Sequence, residues 1–283
     1  MNLLRSGSAH PGWPAPMGPL RVPAGVVRLR PVRMRDGAQW SRIRLAQRQH
    51  LEPWEPTAEF DWTARHALSA WPAMCSGLRA EARRGRMLPY VIEVDGRFSG
   101  QLTIGNVTHG ALRSAWIGYW VSRQVTGGGV ATAALALGLD HCFGPVGLHR
   151  VEATVRPENA ASRRVLSKVG FREEGLLKRY LDVDGQWRDH LLVAITAEEI
   201  ERIIEGGAAP GWSAHEAAIL TAVDELLSRF MISDETWDIL AQSWDEQQLM
   251  EFPVLVGVYA ATAMQQNSLR VTTDGGKPGL TSR

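Results

Sequence analysis

Gly127, Gly128 and Gly129 stand together between a predicted strand that ends near Val121 and a predicted helix that carries Thr132 in its first turn. Three glycines let the backbone curl tightly and aim several N–H groups at one point. The following helix adds its unpaired first-turn amides and the positive end of its dipole. Together these make a cradle for a phosphate-type anion, and the Thr132 hydroxyl can add a donor. No Lys-Ser/Thr pair follows the glycines, so this is not a nucleoside-triphosphate loop. The spacing is not G-x-G-x-x-G either, and no acidic residue follows at the distance a dinucleotide fold requires. The plain alternative is a tight strand-to-helix connection without a ligand. Further along, Asn159 and Ser162 lie one helical turn apart and should share a face. Glu52 sits beside Pro53 and Trp54 in a loop stiffened by two prolines. Each has a bland reading as well: a helix cap for Asn159, a first-turn serine for Ser162, a surface carboxylate for Glu52.

These residues need elements to position them. Residues 26–30 alternate like a strand, and 34–48 read as a helix. Asp61 is a plausible N-cap for a helix through Trp62 and Trp71, which Pro72 should bend or end. Residues 87–94 and 98–104 flank Asp95-Gly96, a hairpin signal. A third strand covers 114–121, a helix 128–142, a strand 151–155, and a helix 159–169 that stops at Gly170. Two last strands, 176–183 and 187–195, surround Asp184-Gly185. A meander of strands followed by alternation with helices predicts a mixed α/β (α+β) sheet. Residues 1–24, with five prolines from Pro11 to Pro23, read as a disordered lead. The main domain is then 25–205, followed by a linker at 206–211. Ser213 and Ser233 start helices in an acidic all-α segment over 212–271, and 272–283 form a flexible tail.

Composition narrows the class. The chain has 283 residues, 45% hydrophobic and 22% charged, with net charge +1. That argues against an extended nucleic-acid footprint. Seven arginines between Arg28 and Arg48 are the densest basic cluster and read as a solvated helix face. Residues 206–283 hold 4 Lys/Arg against 10 Asp/Glu, net −6, which leaves +7 for 1–205 and argues for two units. The longest uncharged apolar run, Phe252 to Met264, is too short for a bilayer. No apolar h-region occurs near the N-terminus, so no secretory signal is read. Two cysteines, Cys75 and Cys142, exclude a disulfide framework or Cys-rich zinc site, and a reduced cytoplasmic protein is the default. The histidines show no metal-ligand spacing, so no metal is expected.

Gln124-x-x-Gly127-x-Gly129 after an aromatic strand resembles the Q/R-x-x-G-x-G/A pyrophosphate loop of the GNAT superfamily of N-acetyltransferases. Arg156 to Phe171, containing Asn159-x-x-Ser162 and Gly170-Phe171, is similar to that family's strand, N-x-x-S helix and G-F segment. Leu51 to Trp54, Gly118 to Val121, and Arg188-Asp189-His190 resemble the RimJ/RimL type, which acetylates N-terminal alanine or serine of ribosomal proteins. The resemblance covers residues 26–199. It implies a GNAT fold: a mostly antiparallel sheet whose central strands splay, flanked by helices, here with a small C-terminal all-α segment. Acetyl-CoA enters the splay. Its pantetheine pairs with Gly118, Tyr119, Trp120 and Val121, and its diphosphate rests on amides of Gln124, Val125, Thr126, Gly127, Gly128, Gly129, Val130 and Ala131, with Thr132 alongside. The resemblance makes Ser162 the acid for the departing thiolate, and Asn159 could orient the pantetheine.

A peptide α-amine has a pKa of about 7.7–8.0, so α-amine chemistry requires only a weak base or an ordered water. RimL-type enzymes carry a glutamate in the strand after Glu174-Gly175. Here that region reads Arg179, Tyr180, Leu181, Asp182. Glu52 is the substitute candidate, as base or as anchor for the acceptor ammonium. Trp54, Trp116, Tyr119 and Trp120 either line the acceptor groove or belong to the core. Residues 212–271 resemble the C-terminal half of carboxymuconolactone-decarboxylase-like proteins without their C-x-x-C pair. An oligomerisation or docking role is the functional reading of this segment, against an inert remnant. The expected activity is acetyl transfer to a protein N-terminus by direct attack. The alternatives are a small-molecule amine acceptor, or a non-catalytic acyl-CoA sensor acting through the helical tail.

Overall fold

A computed structural model describes residues 12–268, and these divide between Ala197 and Glu198 into two compact units. The first unit is built on one sheet of eight strands: β1 (Met17–Val22), β2 (Gly25–Pro31), β3 (Met87–Val94), β4 (Arg97–Thr108), β5 (Ser114–Val121), β6 (Arg150–Val155), β7 (Arg172–Val183) and β8 (Gln186–Thr196). Their spatial order is β1-β2-β3-β4-β5-β6-β8-β7. Every neighbouring pair is antiparallel except β5 with β6. Both expected hairpin dipeptides form the tight turns, with Asp95 (φ 49), Gly96 (φ 77), Asp184 (φ 56) and Gly185 (φ 70) all left-handed.

Helices α1 (Gly37–Ala46), α2 (Arg48–Leu51), α3 (Trp62–His66) and α4 (Trp71–Arg83) lie between β2 and β3 in sequence. One face of the sheet packs Val91 and Phe98 with Val32, Trp40, Trp71 and Cys75 in a buried cluster. Helix α5 (Val130–Phe143) packs against β1, β2, β4 and β5, on the side of Leu102 and Ile117. It approaches closely because Gly138 has no side chain: a Cβ there would stand 3.2 Å from Ile117 and 3.3 Å from Leu102. Helix α6 (Ala160–Lys168) follows β6.

The parting of β5 from β6 makes the site. These strands pair only at Ser114 with Arg150, Ala115 with Val151, and Trp116 with Glu152. Beyond Trp116, β5 keeps its antiparallel partner β4, with Gly118 opposite Thr103 and Trp120 opposite Gln101. Meanwhile β6 follows β8 to its end, with Val155 opposite Leu191. The edge of residues 117–121 that faces β6 is therefore open backbone, which must find hydrogen-bond partners elsewhere.

The structure differs from the sequence expectations at four points. Residues 12–24 are ordered: β1 pairs with β2, Trp13 is buried against Tyr90 at 5.6 Å, and the Tyr90 hydroxyl donates to the Gly12 carbonyl at 2.9 Å. Those partners lie far away in sequence, so a proline-rich composition hides them. Residues 1–11 and the tail 272–283 lie outside the described residues. Pro72 does not end a helix but sits in the first turn of α4, where its missing N–H costs nothing. The arginine cluster is not simply a solvated face. Arg30 is buried on Asp36 at 2.8 Å and beside Glu93, and Arg44 is buried beside Glu55. Residues 206–211 are a packed turn rather than a free linker: Arg202 donates to the Gly211 carbonyl at 3.2 Å and stacks on Trp212 at 4.9 Å.

Trp13→Ala tests the first of these. Truncating a buried Trp should cost about 3 kcal/mol of unfolding free energy. A denaturant melt showing less than about 1 kcal/mol, the size of an ordinary surface substitution, would mean that the N-terminal segment is not part of the core.

The second unit, described by itself, contains α7 (Ala197–Glu205), α8 (Ala214–Arg229), α9 (Asp234–Ala241) and α10 (Glu246–Ser268). Ser213 and Glu216 form a reciprocal capping box at α8, and Ser233 caps α9. Ala218, Ala222, Leu240 and Leu249 make a small core, closed by Trp244 and Phe252. No helix of the described residues is long and apolar enough to cross a membrane.

Candidate active site

The glycine turn is held from two sides. Gln47, directly after α1, donates from Nε2 to Ser122 Oγ at 2.9 Å and accepts the Arg123 N–H at 2.7 Å. One side-chain amide thereby fixes where the chain leaves β5. Thr126 Oγ1 closes the next turn by donating to the Arg123 carbonyl at 2.8 Å. Gly127 (φ 77) and Gly129 (φ 81) adopt the left-handed backbone that redirects the chain into α5. From the other side, Ala24 N–H donates to the Gly128 carbonyl at 3.2 Å, and a Cβ on Gly128 would lie 2.5 Å from the Ala24 methyl. The segment between β1 and β2 thus buttresses the loop. Gly129 is the N-cap of α5, and the helix's first full-turn bond runs from Ala133 N–H to the Gly129 carbonyl at 3.0 Å. The amides of Val130, Ala131 and Thr132 precede that bond and have no intrahelical partner.

A cavity of about 530 Å3 runs along this loop and the open edge of β5, within the range of ligand pockets. Gly118, Tyr119, Trp120 and Val121 form one wall. Val125, Thr126, Gly127, Gly129, Ala131 and Thr132 form the cradle, and Asn159 and Ser162 come in from α6. Three of the residues expected beneath the diphosphate do not line it. Gln124 is exposed, Gly128 is turned onto Ala24, and Val130 is buried in the core.

Asn159 is the α6 N-cap, and its Oδ1 accepts the Ser162 N–H at 3.0 Å. Cap and cavity wall are here the same residue. The Ser162 hydroxyl meets the Tyr119 hydroxyl at 3.0 Å. Burial pushes the Tyr119 phenol up to about 12, against a smaller opposing effect of the Ser162 hydrogen bond. The phenol therefore keeps its proton at neutral pH and can donate to Ser162 Oγ. That leaves the serine O–H free to donate in turn. Both cysteines are buried, and burial raises both thiols, so neither is a thiolate nucleophile.

Part of the cavity lining is aromatic. Trp54, Trp116 and Trp120 line the cavity, with His50, Leu51, Gln101 and Thr103. Trp120 Nε1 donates to Gln101 Oε1 at 3.2 Å. Arg156 lies over the Trp54 ring at 5.4 Å and donates to the Pro53 carbonyl at 3.0 Å, which pins this loop to the end of β6.

Glu52 is not brought to the cavity. Its carboxylate turns back along the chain and accepts from Arg48 Nε at 2.6 Å. Nor do Arg179, Tyr180, Leu181 or Asp182 reach it; Asp182 instead accepts from Thr57 Oγ1 at 2.8 Å. The carboxylate that does line the cavity is Glu55, the only one among its lining residues. Glu55, His50 and Gln47 are the site residues that the sequence did not point to, and for Tyr119 it did not show the hydroxyl's contact with Ser162. Among the described residues no cluster of three or more His, Cys, Asp or Glu could hold a metal ion.

The chain is similar to known proteins. The model of the acetyltransferase (GNAT) domain matches residues 27–172, more than half of the chain. The ribosomal protein uS5 alanine N-acetyltransferase of Escherichia coli is 30% identical over 177 residues, 62% of this chain and 88% of that protein. The probable N-acetyltransferase YjcK of Bacillus subtilis is 38% identical over 108 residues, and that match spans 60% of its length. Among solved structures, Mycobacterium smegmatis RimJ in complex with CoA-disulfide is 77% identical, with a TM-score of 0.67 over 68% of this chain and 91% of that one. The family match over residues 27–172 spans the splayed strands, the glycine turn and α6 together. On this ground the chain belongs to the GNAT acetyltransferase family and is an acetyl-CoA-dependent N-acetyltransferase.

Proposed function

We propose that the acceptor is the N-terminal α-amine of a protein that begins with alanine or serine, a ribosomal protein being the expected class. The acetyl group would pass directly from acetyl-CoA to that amine in one ternary complex. The observation that carries this is the 77% identity to a RimJ structure, together with the uS5 alanine specificity of the E. coli relative. The cavity agrees in make-up: its lining includes both the glycine turn and the aromatic side chains of Trp54, Trp116 and Trp120.

In this reading the diphosphate of acetyl-CoA rests on the amides around Gly127 and Gly129 and on those opening α5. The pantetheine adds to the open edge of β5 as a strand would. The acceptor ammonium first gives one proton to solvent, which an α-amine does readily near neutral pH. Its lone pair then forms the C–N bond at the thioester carbonyl, and the C–S bond breaks. Ser162 donates its proton to the departing thiolate and is reprotonated through Tyr119 as the new amide nitrogen loses its second proton. Products are the acetylated N-terminus, coenzyme A and one released proton. No acyl-enzyme is needed.

The test is a panel of peptides beginning with Ala, Ser or other residues, together with spermidine. Each is incubated with acetyl-CoA, and products are located by fragment mass spectra. Acetylation at the α-nitrogen of Ala- or Ser-initiated peptides is expected. Turnover of spermidine with no α-amine peptide modified would sink the N-terminal assignment. For residues 212–271 we retain an oligomerisation or docking role.

A further inference from the structure

Arg44 is an unusual residue to bury. It is 5% exposed, yet its Nε and Nη1 have no hydrogen-bond partner. Its guanidinium lies 4.9 Å from the ring of Trp62 and 4.9 Å from that of Trp120, so it is sandwiched between two indoles. Nη2 reaches His66 Nε2 at 2.8 Å. Arginine cannot accept, so His66 Nε2 does, and His66 Nδ1 must donate to the Trp62 carbonyl at 2.9 Å. Burial and the Arg44 charge lower His66 to about 4, so it is neutral. Trp62 Nε1 in turn donates to the Arg44 carbonyl at 2.9 Å. The arrangement is rigid and leaves polar atoms unsatisfied, which is expensive unless something is gained.

What it holds is Glu55. Arg44 Nη2 is in ion-pair contact with Glu55 Oε1, and Arg65 Nη2 lies 3.6 Å from Oε2. Arg65 stacks over the same Trp62 ring at 4.8 Å. Pro56, next in the chain, keeps Glu55 extended (φ −103, ψ 147), and the Pro56 carbonyl accepts from Arg65 Nη1 at 3.2 Å. A carboxylate has about four lone-pair sites. Two arginines use part of them, and the side chain, 23% exposed, still lines the cavity. It lines the cavity together with Trp54 and Trp120. The same Arg44 therefore braces both the carboxylate and the Trp120 wall.

We propose that Glu55 is the recognition residue for the acceptor, receiving its protonated amine in the groove formed by Trp54, Trp116 and Trp120. This rests on the N-acetyltransferase reading but not on the choice of an α-amine. Arg44 and Arg65 act as positioning residues, keeping the carboxylate aimed. The groove then selects cationic amines over neutral or anionic ends before donor and acceptor react.

The experiment compares wild type with Glu55→Gln on whichever amine the wild type turns over, an Ala-initiated peptide or spermidine. Each is paired with its analogue bearing hydrogen in place of the amino group, used as a competitive inhibitor. Removing a charge-assisted hydrogen bond should raise KM for the amine about tenfold or more. The Ki of the analogue and the KM for acetyl-CoA should stay within about twofold of wild type, a split that only a charge-specific interaction gives. An unchanged KM for the amine overturns the proposal. So does a parallel rise in KM and in the analogue's Ki, because that marks a merely structural role. Turnover of spermidine alone would refute the N-terminal acceptor while leaving the Glu55 comparison to be read on spermidine.

Discussion

Gly129→Val is expected to weaken coenzyme A binding by about tenfold or more while the fold survives, since breaking each charge-assisted amide hydrogen bond costs about 1.5–3 kcal/mol. Gly129 has φ 81 and is the N-cap of α5. A β-branched residue there is a true backbone outlier, so the chain must rotate out of the left-handed region. A Cβ at this position also meets Val22 Cβ at 3.3 Å, and β1 would have to give way. Either adjustment turns the amides of Gly129 and Val130 away from the point on which the cradle converges. Gly96 supplies the control. It has φ 77 in the β3–β4 turn, with nothing within 4 Å of where a Cβ would stand and no place in the cavity. Gly96→Val should cost stability and leave affinity alone. Calorimetric titration with coenzyme A reads both variants. Normal affinity in a folded Gly129→Val protein would remove the loop from the donor site.

The second large effect is on turnover. Ser162→Ala should lower kcat about tenfold to a hundredfold, with little change in acetyl-CoA affinity. A proton given to the leaving thiolate is an interaction of the transition state. The effect lies at the low end for acid–base groups, because a thiol with a parent pKa of about 8.5 leaves fairly well unaided. Tyr119→Phe should give a smaller fall of the same kind, because its hydroxyl acts only through Ser162 at 3.0 Å. The two act in series, so the double variant should be no slower than Ser162→Ala alone. Additive losses would mean that tyrosine and serine serve separate steps. Ser162 is also in the first turn of α6, where a merely structural serine would lose up to about 1 kcal/mol of stability and no turnover. A melting curve on the same variant separates these outcomes.

What the sequence revealed and what it hid follow from the range of the interactions. The glycine turn, the Asn159–Ser162 pair and both hairpins are local patterns, and local patterns survive in a linear reading. The four aromatic residues flagged for the groove, Trp54, Trp116, Tyr119 and Trp120, all reach the cavity wall. Gln47 could not be found this way, since its partner Ser122 is 75 residues distant. The ordering of residues 12–24 was hidden for the same reason: Tyr90 is 78 residues from Gly12. Glu52 and Glu55 are the instructive pair. Arg48 precedes Glu52 by four residues on a helical run, a spacing that favours an ion pair and so occupies that carboxylate. Glu55 stands one turn later, where Pro56 stops the helical course and redirects the side chain. Its partners, Arg44 and Arg65, lie on two different helices and only tertiary packing joins them.

The central claim is that acyl-CoA lies along the open edge of β5 and on the glycine turn. Amide hydrogen exchange with and without coenzyme A tests it at residue level. The amides of 117–121 that face β6, and those of the turn at 127–132, should become protected on binding, because they pass from solvent to ligand. Protection confined to other segments, with these two exchanging as in the free protein, would contradict the account.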